Sequence, residues 1–224
     1  MSTQKNILLF LGAPGAGKGT LAQRCCVELG YEQISTGNLC REHIAQQTEI
    51  GKEIDLALKS GKLINDAIIT AMVMQWFAQN PQKSLVILDG YPRTVAQVQA
   101  LDGFIARDVS IKPTVVHLVI GEQAVIDRLS MRLICSKSGC QAVYSLAAGI
   151  SDNELVCKNC ASKLVRRPDD EPEAILKRLK LYSAHENLLL DRYRSLGYEI
   201  VTINASGAIG EVFAAFCAQL GVRS

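Results

Sequence analysis

Aromatic side chains are scarce in this chain, with five Phe, six Tyr and a single Trp making up 5% of its 224 residues. An excess of either charge is lacking too: 24 Lys and Arg stand against 22 Asp and Glu, a formal net charge of +2. A surface that coats nucleic acid needs a strong basic excess, and one that binds single strands needs aromatic platforms, so neither partner is expected. An acidic tail is likewise excluded. Long apolar runs are missing. The run nearest the N-terminus, Ile7-Leu8-Leu9-Phe10-Leu11, is too short for the core of a secretion signal or for a membrane span. The expectation is a cytoplasmic protein with no membrane partner. There is no internal repeat and no low-complexity tract, and the three histidines, His43, His117 and His185, lie scattered with no function assigned.

Cysteine, by contrast, is plentiful. Eight cysteines in a short secreted chain would suggest a disulfide framework, but this length without an export signal points to a reducing compartment. Cys25, Cys26, Cys40 and Cys217 fall on helical patterns and read as small core residues. The other four form Cys135-x4-Cys140 and Cys157-x2-Cys160, sixteen residues apart. Two thiolate pairs so spaced suit a tetrahedral Zn²⁺ closed by four sulfurs, a structural site with no open coordination position. The surrounding polar segment has few large apolar side chains, and a bound metal offsets that deficit.

Non-alternating apolar runs at 7–11, 85–88, 115–120 and 200–203, with a weaker one ending at Ile34, read as strands buried on both faces. Helical patterns lie between them, at about 19–29, 37–48, 51–60, 66–79, 94–106, 122–132, 172–195 and 208–220. This alternation predicts an α/β fold, a parallel five-stranded sheet flanked by helices, with its ligand beyond the C-terminal strand ends. Residues 35–64 and 133–166 break the rhythm and read as two inserted mobile units, which leaves 1–34, 65–132 and 167–224 as the core.

The segment Gly12-Ala-Pro-Gly15-Ala16-Gly17-Lys18-Gly19-Thr20 joins the first strand to the first helix. Glycines let successive backbone N–H groups converge on phosphate oxygens, the helix N-terminus adds its dipole, and Lys18 supplies a mobile charge. This is the phosphate loop of a nucleotide-binding fold. Gly19 stands where the general motif has Ser or Thr for Mg²⁺, which leaves Thr20, or bound water, to meet the metal. Asp89 ends the second strong strand and can hold Mg²⁺ directly or through water, the latter being expected. Arginines gather at the hinges of the second insertion: Arg128 and Arg132, four apart on one predicted helical face, and then Arg166, Arg167 and Arg178, with Asp169 and Asp170 between them. A loose phosphoryl transition state is stabilised chiefly by such positioned cations.

With these residues assembled, the chain resembles the adenylate kinases of the long-lid bacterial type over almost its whole length. The matching motifs are Gly12 to Thr20, Ile34-Ser-Thr-Gly-Asn-Leu-Cys-Arg41, Gly61-Lys-Leu-Ile64, Leu88-Asp-Gly-Tyr-Pro-Arg-Thr94, Asp127 to Arg132 and Arg167 to Glu171 running on to Arg178. The resemblance implies a P-loop kinase that transfers a phosphoryl group from ATP to AMP with Mg²⁺, acting as a monomer. It implies that Gly15 to Thr20, Arg128, Arg132 and Gly207 meet ATP. Thr36, Arg41, Ile64, Gly90, Arg93, Gln97, Arg167 and Arg178 would then meet AMP. The catalytic group would be Lys18 with Arg93, Arg128, Arg132, Arg167 and Arg178, and Asp169 and Asp170 would orient arginines. Asn38 stands where the family has Asp, Met131 where it has Gly, and the first cysteine pair is two residues wider. The alternatives weighed are a UMP or CMP kinase and a nucleotide-binding regulator with a zinc module.

Overall fold

The computed structural model describes residues 4–59, 64–137, 139–140, 142–146, 155–167 and 170–222. Asp169, and Gly61 to Leu63 of the third motif, lie outside the described residues. Five parallel strands form the main sheet in the order β2-β3-β1-β4-β8: Glu32–Ser35, Leu85–Asp89, Lys5–Gly12, Ile111–Val119 and Glu199–Asn204. Along β1, Ile7, Leu9 and Leu11 enter one core and Leu8 and Phe10 the other, so every residue of the run is buried on one face or the other. That two-sided burial is why the strand reads as an unbroken apolar run and not as an alternation.

The first face is covered by α4 (Asp66–Gln79), α5 (Val95–Ile105) and the long α7 (Pro172–Ser195), through residues such as Val73, Leu101 and Tyr193. The second is covered by α1 (Lys18–Leu29) and α8 (Ile209–Leu220), through Leu21, Cys25, Phe213 and Phe216. The predicted helices at 66–79 and 172–195 match their observed bounds. The strand predicted at 115–120 runs instead from Ile111 through Pro113. Proline is accommodated there because β8 begins to pair only at Thr114, so no neighbour on that side needs its missing N–H.

Between β2 and α4 the chain forms α2 (Thr36–Ala45) and α3 (Glu49–Lys59), helical as expected. Between α6 (Glu122–Ser130) and α7 it forms a second, antiparallel sheet of three strands, β6-β5-β7, from Val143–Ser145, Arg132–Cys135 and Leu164–Val165. Its core is small. Among the described residues, Leu133, Cys135, Cys157 and Leu164 are its buried apolar residues, so two of these four are thiols.

One prediction is corrected here. Arg128 and Arg132 do not share a helical face: α6 stops at Ser130, and Arg132 opens β5 opposite Ser145. The Arg132 guanidinium is drawn instead to Asp170, and the backbone exchanges a further helical turn for the β5–β6 ladder.

The α2–α3 pair is fixed by a steric constraint. A Cβ on Gly51 would overlap the carbonyl group of His43, so α3 can approach α2 only with glycine there. Gly51→Ala should cost about 1–3 kcal/mol by overpacking, lowering Tm by roughly 2–4 °C for each kcal/mol in a chain of this size. Thermal denaturation checks this, and an unchanged Tm would mean that the two helices are free to separate.

Candidate functional site

The sheet register brings the C-terminal ends of the strands to one level. Phe10 and Ser35 both lie opposite Asp89, and Gly12 lies opposite Leu118. The phosphate loop leaves β1 at this edge and enters α1 at Lys18. Gly15 takes a positive φ of 84°, and a Cβ there would press on Leu129 and Val125 of α6, so this turn excludes any other residue on both counts. The Gly19 departure is also explained by its surroundings. A Cβ at 19 would sit 3.3 Å from Asp89 Oδ2, closer than side chains ordinarily come, and the larger Ser or Thr of the general motif would crowd that carboxylate. Thr20, exposed, lies in the same cleft.

This cleft has a volume of about 450 Å³ and gathers Lys18, Arg93, Arg128, Arg132, Arg167 and Arg178 around residues 14–20 and Asp89. All six side chains predicted to form the catalytic group are therefore brought together. Lys18 Nζ donates to the carbonyls of Gly12 (2.6 Å) and Ala13 (2.9 Å) of its own loop. Burial lowers its pKa from the ordinary 10.5 to about 8. Asp89 opposes the shift, and Arg93, Arg178 and Arg132 add to it. Asp89 is steadied by Gln33 Nε2, which donates to Oδ2 at 3.1 Å.

Arg132 and Arg178 both donate to Asp170, whose side chain is only 3% exposed: Arg132 through Nε at 2.7 Å and through Nη2, Arg178 through Nη1 at 3.3 Å. Arg128 Nη2 donates to the carbonyls of Ser206 (3.1 Å) and Gly207 (3.2 Å), tying α6 to the turn before α8.

A second group surrounds Gly90, just beyond β3. Thr36 Oγ1 donates to the Gly90 carbonyl at 2.9 Å, and Arg93 Nε donates to the same oxygen at 2.8 Å. Gly90 has φ of 84°, and a Cβ would fall 2.7 Å from Arg93 Nη2 and 2.9 Å from Thr36 Oγ1, so only glycine lets the two side chains meet. Gln97 Oε1 accepts from Arg93 N (2.7 Å), and its Nε2 donates to Asp66 Oδ1 (2.7 Å). Thr36 and Gln97 are each 4% exposed. Arg41 pairs with Asn38 Oδ1. Burial raises the Cys40 thiol pKa, while Arg93 and Arg41 pull it back. Ile64 packs against the same core ahead of α4.

The four cysteines of the second sheet form a single cluster, their sulfurs all within 4.8 Å of one another. Cys135 and Cys160 are 3.4 Å apart and Cys140 and Cys157 3.7 Å. A tetrahedral ion with Zn–S bonds near 2.3 Å sets its sulfurs roughly 3.8 Å apart, so this donor set fits Zn²⁺. Lys137 N donates to Cys135 Sγ at 3.4 Å. Tyr144 OH lies 3.3 Å from Cys157 Sγ and accepts from Lys158 N at 2.8 Å, which leaves its proton directed at the sulfur. Hydrogen bonds from Ser162 draw the Cys160 thiol down to about 6 and Tyr144 lowers that of Cys157, while burial pushes Cys135 up to about 12 and Cys140 is also raised, so the protons of the four sulfurs gather on the first pair. Thiolates are the form that binds metal.

Several contributors were not legible in the sequence. Val143, Tyr144 and Ser145 line the cleft from β6, a strand too short to carry a periodic signal. Asp66 anchors Gln97 and accepts from Thr94 Oγ1 at 2.7 Å. At the start of α4, Asp66 reads as a first-turn acid, as does Glu122 of α6.

Comparison with known proteins agrees with this geometry. The family model for adenylate kinase matches residues 10–198. An adenylate kinase of Thermodesulfovibrio yellowstonii is 38% identical over 213 residues, 95% of this chain and 98% of the relative. That of Treponema denticola is 38% identical over 208 residues, 93% and 96% of the two chains. That of Archaeoglobus fulgidus is 36% identical over 190 residues, 85% and 87%. With a glycine-rich loop under six converging cations and relatives matched along nearly their full lengths, the chain belongs to the adenylate kinase family.

Proposed function

We propose that this chain carries out the reaction of its family, reversible phosphoryl transfer from ATP to AMP to give two ADP, within the cationic cleft. The observation that carries the reading is the convergence of Lys18 and five arginines on one phosphate loop. In the forward direction the bond from the γ-phosphorus to the β–γ bridging oxygen breaks, and a new one forms to an oxygen of the AMP phosphate. Charge builds on the equatorial oxygens of the group in transit, and cations already in place stabilise it without reorganisation.

Lys18 exchanges its two backbone carbonyls for phosphate oxygens, while the N–H groups of residues 15–20 cradle the chain of phosphates. Arg41 and Arg93 hold the AMP phosphate, and Thr36, Ile64, Gly90 and Gln97 face its base. Arg93 and Asp66 together use one acceptor and one donor of the Gln97 amide, so one of each remains for an adenine edge. Gly207 meets the ATP adenine. Asp89 and Thr20 offer one carboxylate and one hydroxyl, a set that fits Mg²⁺ held largely by water and substrate oxygens. When bound with ATP, Mg²⁺ neutralises developing phosphate charge.

Residues 35–64 form the monophosphate unit in this reading. Residues 133–166 form a lid whose closure brings Arg128, Arg132, Arg167 and Arg178 onto the phosphates and excludes water. Zn²⁺ held by Cys135, Cys140, Cys157 and Cys160 staples the lid and takes no part in the chemistry. In this reading the chain acts as a monomer, as the family resemblance implies. Among the described residues, no helix is long and apolar enough to cross a membrane.

The first test concerns Lys18. Lys18→Met should lower kcat/KM by roughly 10³-fold or more, the scale of a single charge-stabilising group. The depressed pKa costs folding stability below about 8, and that cost is relieved as the pH rises from about 8 towards 10.5. Phosphate binding restores the charged form. At pH 8.5, ATP binding should therefore take up protons, measured by calorimetry in buffers of different ionisation enthalpy. Lys18→Arg, charged throughout, should take up none. Equal uptake by both would remove Lys18 from the phosphate site.

Acceptor choice is the second. AMP should exceed UMP and CMP by roughly 10²-fold or more in kcat/KM, because a pyrimidine leaves buried polar groups unpaired. Thr36→Ala should narrow the ratio while leaving the KM for ATP nearly unchanged. Equal use of UMP and AMP would transfer the chain to the pyrimidine monophosphate kinases.

The third is the metal. Analysis of the purified protein should find about one Zn²⁺ per chain. Cys157→Ser should lower Tm and leave ATP affinity within a small factor, since metal binding is coupled to folding of the segment it closes. An active, reduced protein free of metal would rule the zinc out.

A further inference from the structure

A second cavity lies at the opposite end of the sheet from the phosphate loop. Its volume is about 660 Å³, within the range of small-molecule sites. Its inner wall is the beginning of three strands, at Ile7, Val86 and Ile111, and its sides are α4 and α5. Met74, Phe77 and Phe104 supply the apolar lining, with the Phe77 and Phe104 rings 4.8 Å apart and tilted by 30° across the two helices. None of these residues takes part in the cleft described above.

The rim is cationic. Lys5, Lys83 and Arg107 stand at the mouth with Asp108. Asp108 is matched locally, accepting from Lys5 Nζ (3.0 Å), Ser110 Oγ (2.6 Å) and Ser110 N (3.0 Å). Lys83 is engaged by Glu32. Arg107 is exposed and has no side-chain hydrogen bond or ion pair among the described residues. An apolar lining beneath a net positive rim is complementary to a molecule with one anionic head and one hydrocarbon tail.

We infer that this cavity, between α4, α5 and the strand starts, binds a free medium-chain fatty carboxylate, its tail against Met74, Phe77 and Phe104 and its head group at Arg107. Gly103 of α5 lines the cavity, and a Cβ built on it meets nothing within 4 Å. Gly103→Leu therefore puts a bulky side chain on this lining position without a backbone clash and with a better helix former. The single tryptophan, Trp76, packs edge-on against Phe77 with ring centroids 5.5 Å apart, so its fluorescence reports on the lining.

The test is a titration of the purified full chain with decanoate below its micellar concentration, followed by Trp76 fluorescence and calorimetry. Binding should be saturable at one site, unaffected by saturating ATP, and at least about tenfold tighter than that of decanol or acetate. Gly103→Leu and Arg107→Glu should each weaken it by about tenfold or more, with adenylate kinase turnover and the circular dichroism spectrum unchanged. Competition by ATP would place the ligand in the nucleotide cleft and overturn the inference. So would equal binding of decanol, or wild-type affinity in both variants. If Gly103→Leu fails to fold, the surface variant Arg107→Glu decides alone.

Discussion

Six positive side chains in one cleft repel one another, and the structure around the site is organised to hold them there. Asp170 is central to this. Its nearly buried carboxylate accepts from Arg132 at the start of β5 and from Arg178 in α7, so one negative charge ties both hinges of the second sheet to the core. Buried charges persist only when paired and hydrogen-bonded, and Asp170 meets that condition by binding two arginines. Asp89 plays the corresponding part under the phosphate loop, opposing the burial that lowers the Lys18 pKa. Lys18 rests on the backbone carbonyls of Gly12 and Ala13, and Arg128 on those of Ser206 and Gly207. Neutral acceptors of this kind hold a cation less strongly than a charged oxygen does, because a charged acceptor makes a stronger hydrogen bond.

The sheet supplies the rigidity this arrangement needs. Strands covered on both faces cannot slip in register without exposing apolar surface, so their C-terminal ends stay level. The turns after β1 and β3 then bring Lys18 and Arg93 into one cleft with Asp89. Two glycines make the close approaches possible, Gly15 beneath α6 and Gly90 between Thr36 and Arg93. The units attached to this frame are less deeply built. The α2–α3 pair depends on a glycine contact, and the β6-β5-β7 sheet rests on a core in which cysteine is half of the buried apolar set. A segment with so little apolar burial gains most from a metal.

The sequence alone determined the sheet strands, the helices at 66–79 and 172–195, the phosphate loop, the cysteine cluster and the identity of the cations that meet. Each of these is written locally: unbroken apolar runs mark strands buried on both faces, glycines at fixed offsets mark a phosphate cradle, and thiol pairs mark a ligand set. The tertiary structure alone decided how those groups are held. That α6 stops at Ser130 follows from the pull of Asp170 on Arg132 and from pairing with Ser145, partners 38 and 13 residues away in sequence. That Gly19 replaces a hydroxyl residue follows from Asp89 on another strand, and the role of Gln97 as a brace for Arg93 depends on Asp66 in α4. Local sequence sets what a segment prefers. The choice among those preferences rests on charges and volumes that only the folded chain brings within contact distance.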